Sequence, residues 1–90
     1  MTYCLKVEQR AFKQLTKVPQ ADRTRVTEAI LALEEKPFPP GKKWKRLKGP
    51  GGLVRLRIGH YRVLYEVLED EVHVLAVIHR RDLERWLRQM

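Results

Sequence analysis

The sequence predicts an α+β fold in the order β-α-α-β-β-β-α, a small antiparallel meander packed by an N-terminal helix pair and a C-terminal helix. Three observations predict it. Residues 2–7 alternate, with Tyr3, Leu5 and Val7 on one side and Thr2, Cys4 and Lys6 on the other, the period of a half-buried strand. Val26, Ala29, Ile30 and Leu33, and again Leu83, Trp86, Leu87 and Met90, fall at i, i+3, i+4 and i+7, each set giving a helix one apolar stripe. Between them, residues 53–58, 61–68 and 72–79 have strand composition and are joined by loops short enough for hairpins. A chain of 90 residues with 43% hydrophobic content suits one domain over residues 1–90.

In chain order, the strand at 2–7 leads into a helix over 8–17, where Ala11, Phe12 and Leu15 have helical spacing. Pro19 stops that helix or begins the next at its first turn. The second helix spans 22–36, and Pro37, Pro39 and Pro40 then force a stiff extended connection into a Lys-rich loop at 42–48. The turn-rich Gly49, Pro50, Gly51 and Gly52 open the meander, and the last helix covers 80–90.

Charge is concentrated in one stretch. Residues 36–65 hold nine Lys or Arg and no acid, while the other sixty hold the remaining ten cations against all 11 acids, so the segment accounts for more than the whole net charge of +8. Two readings of the stretch are open: a solvated surface, or a site for a polyanion, with nucleic acid the first candidate. Cys4 is the only cysteine, which excludes an internal disulfide, and no Cys/His cluster has zinc spacing, so no metal or other cofactor is expected. The first residues lack a signal-like apolar run and no segment approaches bilayer length, which makes the cytoplasm the expected compartment.

Hairpin register tells where the cations point. With Gly59 and His60 as a two-residue loop, Ile58 faces Tyr61, Arg57 faces Arg62, Leu56 faces Val63 and Arg55 faces Leu64. Val54, Leu56, Ile58, Tyr61, Val63 and Tyr65 then share an apolar face, and Arg55, Arg57 and Arg62 share the other. The next hairpin has several possible registers. A loop at Glu69 and Asp70 sets Arg62 opposite Val77 and His73 opposite Glu66; a loop at Asp70 and Glu71, or a four-residue loop, sets Arg62 opposite His79. In all of these His73, Leu75, Val77 and His79 join the arginine face, whereas a three-residue loop flips the parity and puts His79 with Tyr61.

The run LKGPGGLVRLRIGHYRVLYEV, followed by HVLAVIHRRD, together with the element order, resembles the RelE/ParE superfamily of bacterial toxins. The likeness covers nearly the whole chain and is most specific over residues 47–82. For the RelE branch it implies a ribosome-dependent endoribonuclease that cuts mRNA without metal, held in check by a cognate antitoxin that covers the basic surface. The family's basic pair on its second strand resembles Arg55 and Arg57, the arginine of the Tyr-Arg step on its third strand resembles Arg62, and its late arginine resembles Arg81 or Arg80. One departure stands out: many relatives carry a tyrosine shortly after the HRRD-like motif, and this chain has none after Tyr65. A ParE-like gyrase poison and a non-catalytic RNA-binding relative are the other functions the resemblance admits.

Metal-free RNA cleavage needs a base for the 2′-hydroxyl, cations for the phosphorane and an acid for the departing 5′-oxygen. On this reading Arg62 and Arg81 bind the scissile phosphate, and Arg55 and Arg57 orient the backbone or lower the barrier. Arginine cannot carry the proton, so His79 is the candidate for transfer, its alternative role being a strand-end histidine bonded to the following helix. Lys42, Lys43, Lys45, Arg46, Lys48 and Arg80 are the expected RNA-binding cations. Trp44 among them either stacks on a base or pins the loop to the core.

Overall fold

The computed structural model describes residues 2–41, 43–47 and 52–89. Its elements are β1 (Cys4–Val7), α1 (Gln9–Thr16), α2 (Gln20–Ala32), β2 (Trp44–Arg46), β3 (Leu53–Ile58), β4 (Tyr61–Leu68), β5 (Glu71–His79), a 3-10 turn (Arg80–Asp82) and α3 (Leu83–Arg88). Pro19, with its fixed φ of −52°, stands at the N-cap of α2, so the proline both separates the two helices and starts the second. The strands form one sheet in the order β1-β5-β4-β3-β2, in which β1 runs parallel to β5 and the other neighbours are antiparallel.

The predicted α+β meander is present with one strand more. The Lys-rich stretch contains an edge strand, β2, whose Trp44, Lys45 and Arg46 pair with Leu56, Arg55 and Val54. It is a paired edge of the sheet where the sequence predicted a loop. Pairing with β3 satisfies the backbone on its inner side, and lysine and arginine suit an edge strand because they discourage pairing with a further chain.

Alternation gives the sheet two faces. On the first, Val54, Leu56, Val63, Tyr65, Val72, Val74 and Val77 pack against Ala11, Val18, Val26, Ile30 and Leu33 of the helical layer, all of them buried. The stripe of α2 thus lies where its spacing predicted, and each fully buried Val or Leu contributes roughly 1.5–3 kcal/mol. On the second face, α3 lays Leu83, Trp86 and Leu87 over Leu53, Leu64, Ala76 and Ile78. Met90, the last residue of that stripe, lies outside the described residues.

The two hairpins differ in how they reach their register. In β3–β4 every pair is as the two-residue loop predicts, with Ile58 opposite Tyr61 and Arg57 opposite Arg62; Gly59 supplies the positive φ of 59° that the turn requires. In β4–β5 the loop is Glu69 and Asp70, and Glu66 faces His73. A bulge then intervenes: Tyr65 pairs with Val74 but Leu64 pairs with Ala76, leaving Leu75 as the extra residue. Beyond it the parity is reversed, so Arg62 faces Ile78, and Tyr61 faces His79. The expectation that Val77 and His79 join the arginine face is therefore corrected. Both lie on the opposite side, with a two-residue loop plus a bulge producing the outcome assigned to a three-residue loop.

Candidate nucleic-acid interface

The second face of the sheet is apolar where α3 covers it and cationic where α3 does not. Arg57 and Arg62 are paired across β3 and β4, Arg55 pairs with Lys45 of β2, and the Lys43 carbonyl accepts the Arg57 amide at 2.8 Å. Lys45, Arg55, Arg57 and Arg62 consequently project from one side of three adjacent strands. Arg62 is the centre of the group. Its pKa is lowered from the ordinary arginine value, first by burial and then by repulsion from Arg55, Arg57 and Arg80, with no carboxylate among the groups acting on it. Its Nη1 donates to the carbonyls of Gly59 at 3.0 Å and Tyr61 at 2.9 Å, which ties the guanidinium to the hairpin turn.

Two further observations mark the cluster as unsatisfied. Arg55 Nε is buried and has no acceptor among the described residues. Elsewhere, Lys6, Arg25 and Arg85 pair with Glu71, Asp22 and Asp82, whereas among the described residues Arg55, Arg57, Arg62 and Arg80 form no ion pair. Like charges gathered without counter-charge destabilise the fold, and a bound anion relieves that cost.

Of the two late arginines, Arg80 belongs to this group. Its amide donates to the His60 carbonyl at 2.7 Å, which holds the end of β5 against the β3–β4 turn, and its charge acts on Arg62. Arg81, exposed like Arg80, is not among the groups acting on Arg62; its charge acts on His79, and its backbone N–H donates to that ring. The sequence motif cannot separate neighbours such as these; the 3-10 turn after β5 does.

His79 stands on the other face, its ring edge-on to Tyr61 at 5.4 Å and nearly parallel to His60 at 6.0 Å. Its Nδ1 accepts the Arg81 N–H at 3.2 Å, so the neutral ring carries its proton on Nε2. Burial, then the charges of Arg81 and His60, hold its pKa below 6.5, partly offset by Asp82. The structure gives His79 the strand-end capping role and does not bring it to the arginine face.

The basic stretch before β3 divides in the same way. Lys43 and Lys45 adjoin the cluster, while Trp44 and Arg46 turn to the helical side. The Trp44 indole N–H donates to the Pro39 carbonyl at 2.7 Å, its ring lies 5.1 Å from Phe38, and the Arg46 guanidinium sits 4.8 Å over Phe38. The indole is thus a pin for the proline segment, which Tyr65 fastens from the core by donating its hydroxyl to the Pro37 carbonyl at 2.7 Å. Burial pushes the Tyr65 phenol up to about 12. Lys42 and Lys48 lie outside the described residues.

One feature escaped the sequence. Beside the cluster a groove of about 1120 Å³ opens between α2 and the proline segment, lined by Ala29, Leu33, Leu56 and Ile58 together with Lys43, Arg57, Arg62 and Arg80. No local signal announces it, because helix and sheet meet there only in the folded chain.

Comparison with known proteins agrees with the arrangement. A family model described as the ParE toxin of type II toxin-antitoxin systems matches residues 5–84. A toxin named RelE1 from Methanocaldococcus jannaschii is 34% identical over 84 residues, covering 91% of this chain and 93% of its own. The RelE chain in the crystal structure of the archaeal RelE-RelB complex from Pyrococcus horikoshii OT3 is 34% identical with a TM-score of 0.77, over 89% of this chain and 97% of that one. The toxin-antitoxin complex RelBE2 from Mycobacterium tuberculosis gives 27% identity and a TM-score of 0.75, over 89% of this chain and 100% of its own. From the matched residues and the shared fold together, the chain belongs to the RelE/ParE superfamily of toxins of type II toxin-antitoxin systems, on its RelE side.

Proposed function

We propose that the protein is a ribosome-dependent endoribonuclease that cuts mRNA in the cytoplasm without metal, and that a cognate antitoxin silences it by covering the arginine face. The observation that carries this reading is the unpaired cluster of Arg55, Arg57, Arg62 and Arg80 around one corner of the sheet. When a 2′-hydroxyl attacks the adjacent phosphorus, the phosphorane gains negative charge, and fixed guanidinium groups at that point stabilise it more than they stabilise the ground state. Arg62 and Arg80 are assigned to the scissile phosphate, Arg55 and Arg57 to the phosphates beside it. Lys43 and Lys45 extend the contact, and Arg81 and Arg46 are assigned to outlying RNA phosphates, where they add affinity that falls with salt.

Guanidinium groups with pKa values above about 12 do not move protons at neutral pH. With His79 capping a turn on the far face, the proton transfers fall to solvent or to groups presented by the ribosome-bound message, which fits a toxin that acts only there. The antitoxin is supported by relatives whose structures were solved as RelE-RelB complexes.

The ParE description of the matching family model favours a second reading, inhibition of DNA gyrase without RNA cleavage. One experiment separates the two. Purified protein is added to ribosomes programmed with a defined message, and to a gyrase supercoiling assay. Message ends in the decoding site with 2′,3′-cyclic phosphates are expected; loss of supercoiling with the message intact would replace the first reading by the second.

A further inference from the structure

The bulge in β5 has a partner outside the sheet. β1 flanks β5 only from Glu71 to Val74, and past that point α1 takes its place. There the Gln14 side chain reaches in from α1, and its Oε1 accepts the N–H of buried Val77 at 2.8 Å across 63 positions of sequence. Only the carbonyl end of a glutamine amide can accept, so the orientation of the side chain is fixed by the bond. Val77 follows the bulged Leu75 by two residues and is the first position whose side chain faces the helices in the reversed parity.

We infer that Gln14 is the positioning residue that holds the β5 bulge, and thereby decides which side chains the end of β5 presents to the arginine cluster. Without the bulge the ladder runs on from Tyr65 and Val74, so Val77 stands beside Arg62, and His79 moves to the arginine face. With it, Ile78 stands beside Arg62, His79 caps the turn, and Arg80 follows from the His60 side. A buried N–H left without an acceptor costs free energy, which is what keeps the bulge at this one place. The consequence for cleavage rests on the ribonuclease reading; the consequence for register does not.

The experiment compares Gln14→Leu, which keeps the shape and removes the acceptor, with Gln14→Glu, which keeps an acceptor. In Gln14→Leu the Val77 amide should exchange with solvent about tenfold faster or more, the factor expected for a buried donor that loses its partner, and the His79–Tyr61 contact should weaken in nuclear Overhauser spectra. Single-turnover cleavage on programmed ribosomes should slow with the half-saturating ribosome concentration unchanged, and Gln14→Glu should restore both. In Gln14→Glu the Val77 amide resonance should also follow the titration of the introduced carboxylate, a readout that survives if Gln14→Leu fails to fold. An unchanged Val77 exchange rate in Gln14→Leu, or a Val77 resonance blind to that titration, overturns the inference whether or not the wild type cuts RNA.

Discussion

The two faces of the sheet are written by the same strands in alternate residues, and they end in opposite conditions. Val54, Leu56, Val63 and Tyr65 are buried under two helices, while Arg55, Arg57 and Arg62, their neighbours in sequence, gather beside a six-residue helix that leaves them uncovered. On the first face no buried side-chain polar atom among the described residues lacks a partner, and the Tyr65 hydroxyl donates to the Pro37 carbonyl. On the second a buried Arg55 Nε goes without. The difference teaches that the covered face maintains the fold, while the bare face carries uncompensated charge that the proposed function assigns to a ligand, a division common at functional sites.

Substitutions on each side should therefore separate stability from activity. The largest effect belongs to the covered face: Leu33→Ala, at a position 1% exposed, should lower the unfolding free energy by about 2–5 kcal/mol in denaturant titrations, with the cleavage rate per folded molecule unchanged. On the bare face Arg62→Ala should slow single-turnover cleavage by about 10²–10³-fold, the scale for removing one preorganised donor from a developing oxyanion. Its unfolding free energy should move by less than about 1 kcal/mol, since release from three like charges offsets the lost bonds to Gly59 and Tyr61. Tyr65→Phe should cost about 1–3 kcal/mol of stability by leaving the Pro37 carbonyl unpaired, read as a shift in the thermal midpoint.

The smallest effect is assigned to His79. His79→Asn keeps a capping side chain and should alter cleavage by less than about tenfold, with no break in the pH–rate profile where a histidine titrates. Stability should respond instead. Because the folded pKa lies below 6.5, the unfolded chain takes up the proton first; the contribution of His79 is fully present above 6.5 and is lost as pH falls through the folded value. Urea titrations across that range should show the loss in the wild type and a flatter profile in His79→Asn. A rate defect of a hundredfold would instead return His79 to the chemistry.

How much of this the sequence could show depended on how local each cause is. The β3–β4 hairpin was legible to the residue, because a two-residue loop opening on Gly59 and strict alternation leave one register. In β4–β5 the turn was legible and the bulge was not: no Gly or Pro marks Leu75, and its anchor, Gln14, lies 63 positions from Val77. β2 was hidden by its length of three residues and its two cations, Lys45 and Arg46, whose place at an edge depends on β3 already being there. The arginine pair and Arg62 were found as a cluster from register alone. Placing Arg80 rather than Arg81 beside Arg62 needed the turn that follows β5, and placing His79 on the opposite face needed the bulge.

The central claim is that the uncovered arginine corner is where RNA is cut. Its most direct test is to map message ends on programmed ribosomes for the wild type, for Arg62→Ala with Arg80→Ala, and for Lys6→Ala, a cation paired with Glu71 on β1 away from the corner. Cuts in the decoding site by the wild type and Lys6→Ala, and their loss in the double variant, are the predicted result. Cuts at the wild-type rate in the folded double variant would contradict the claim.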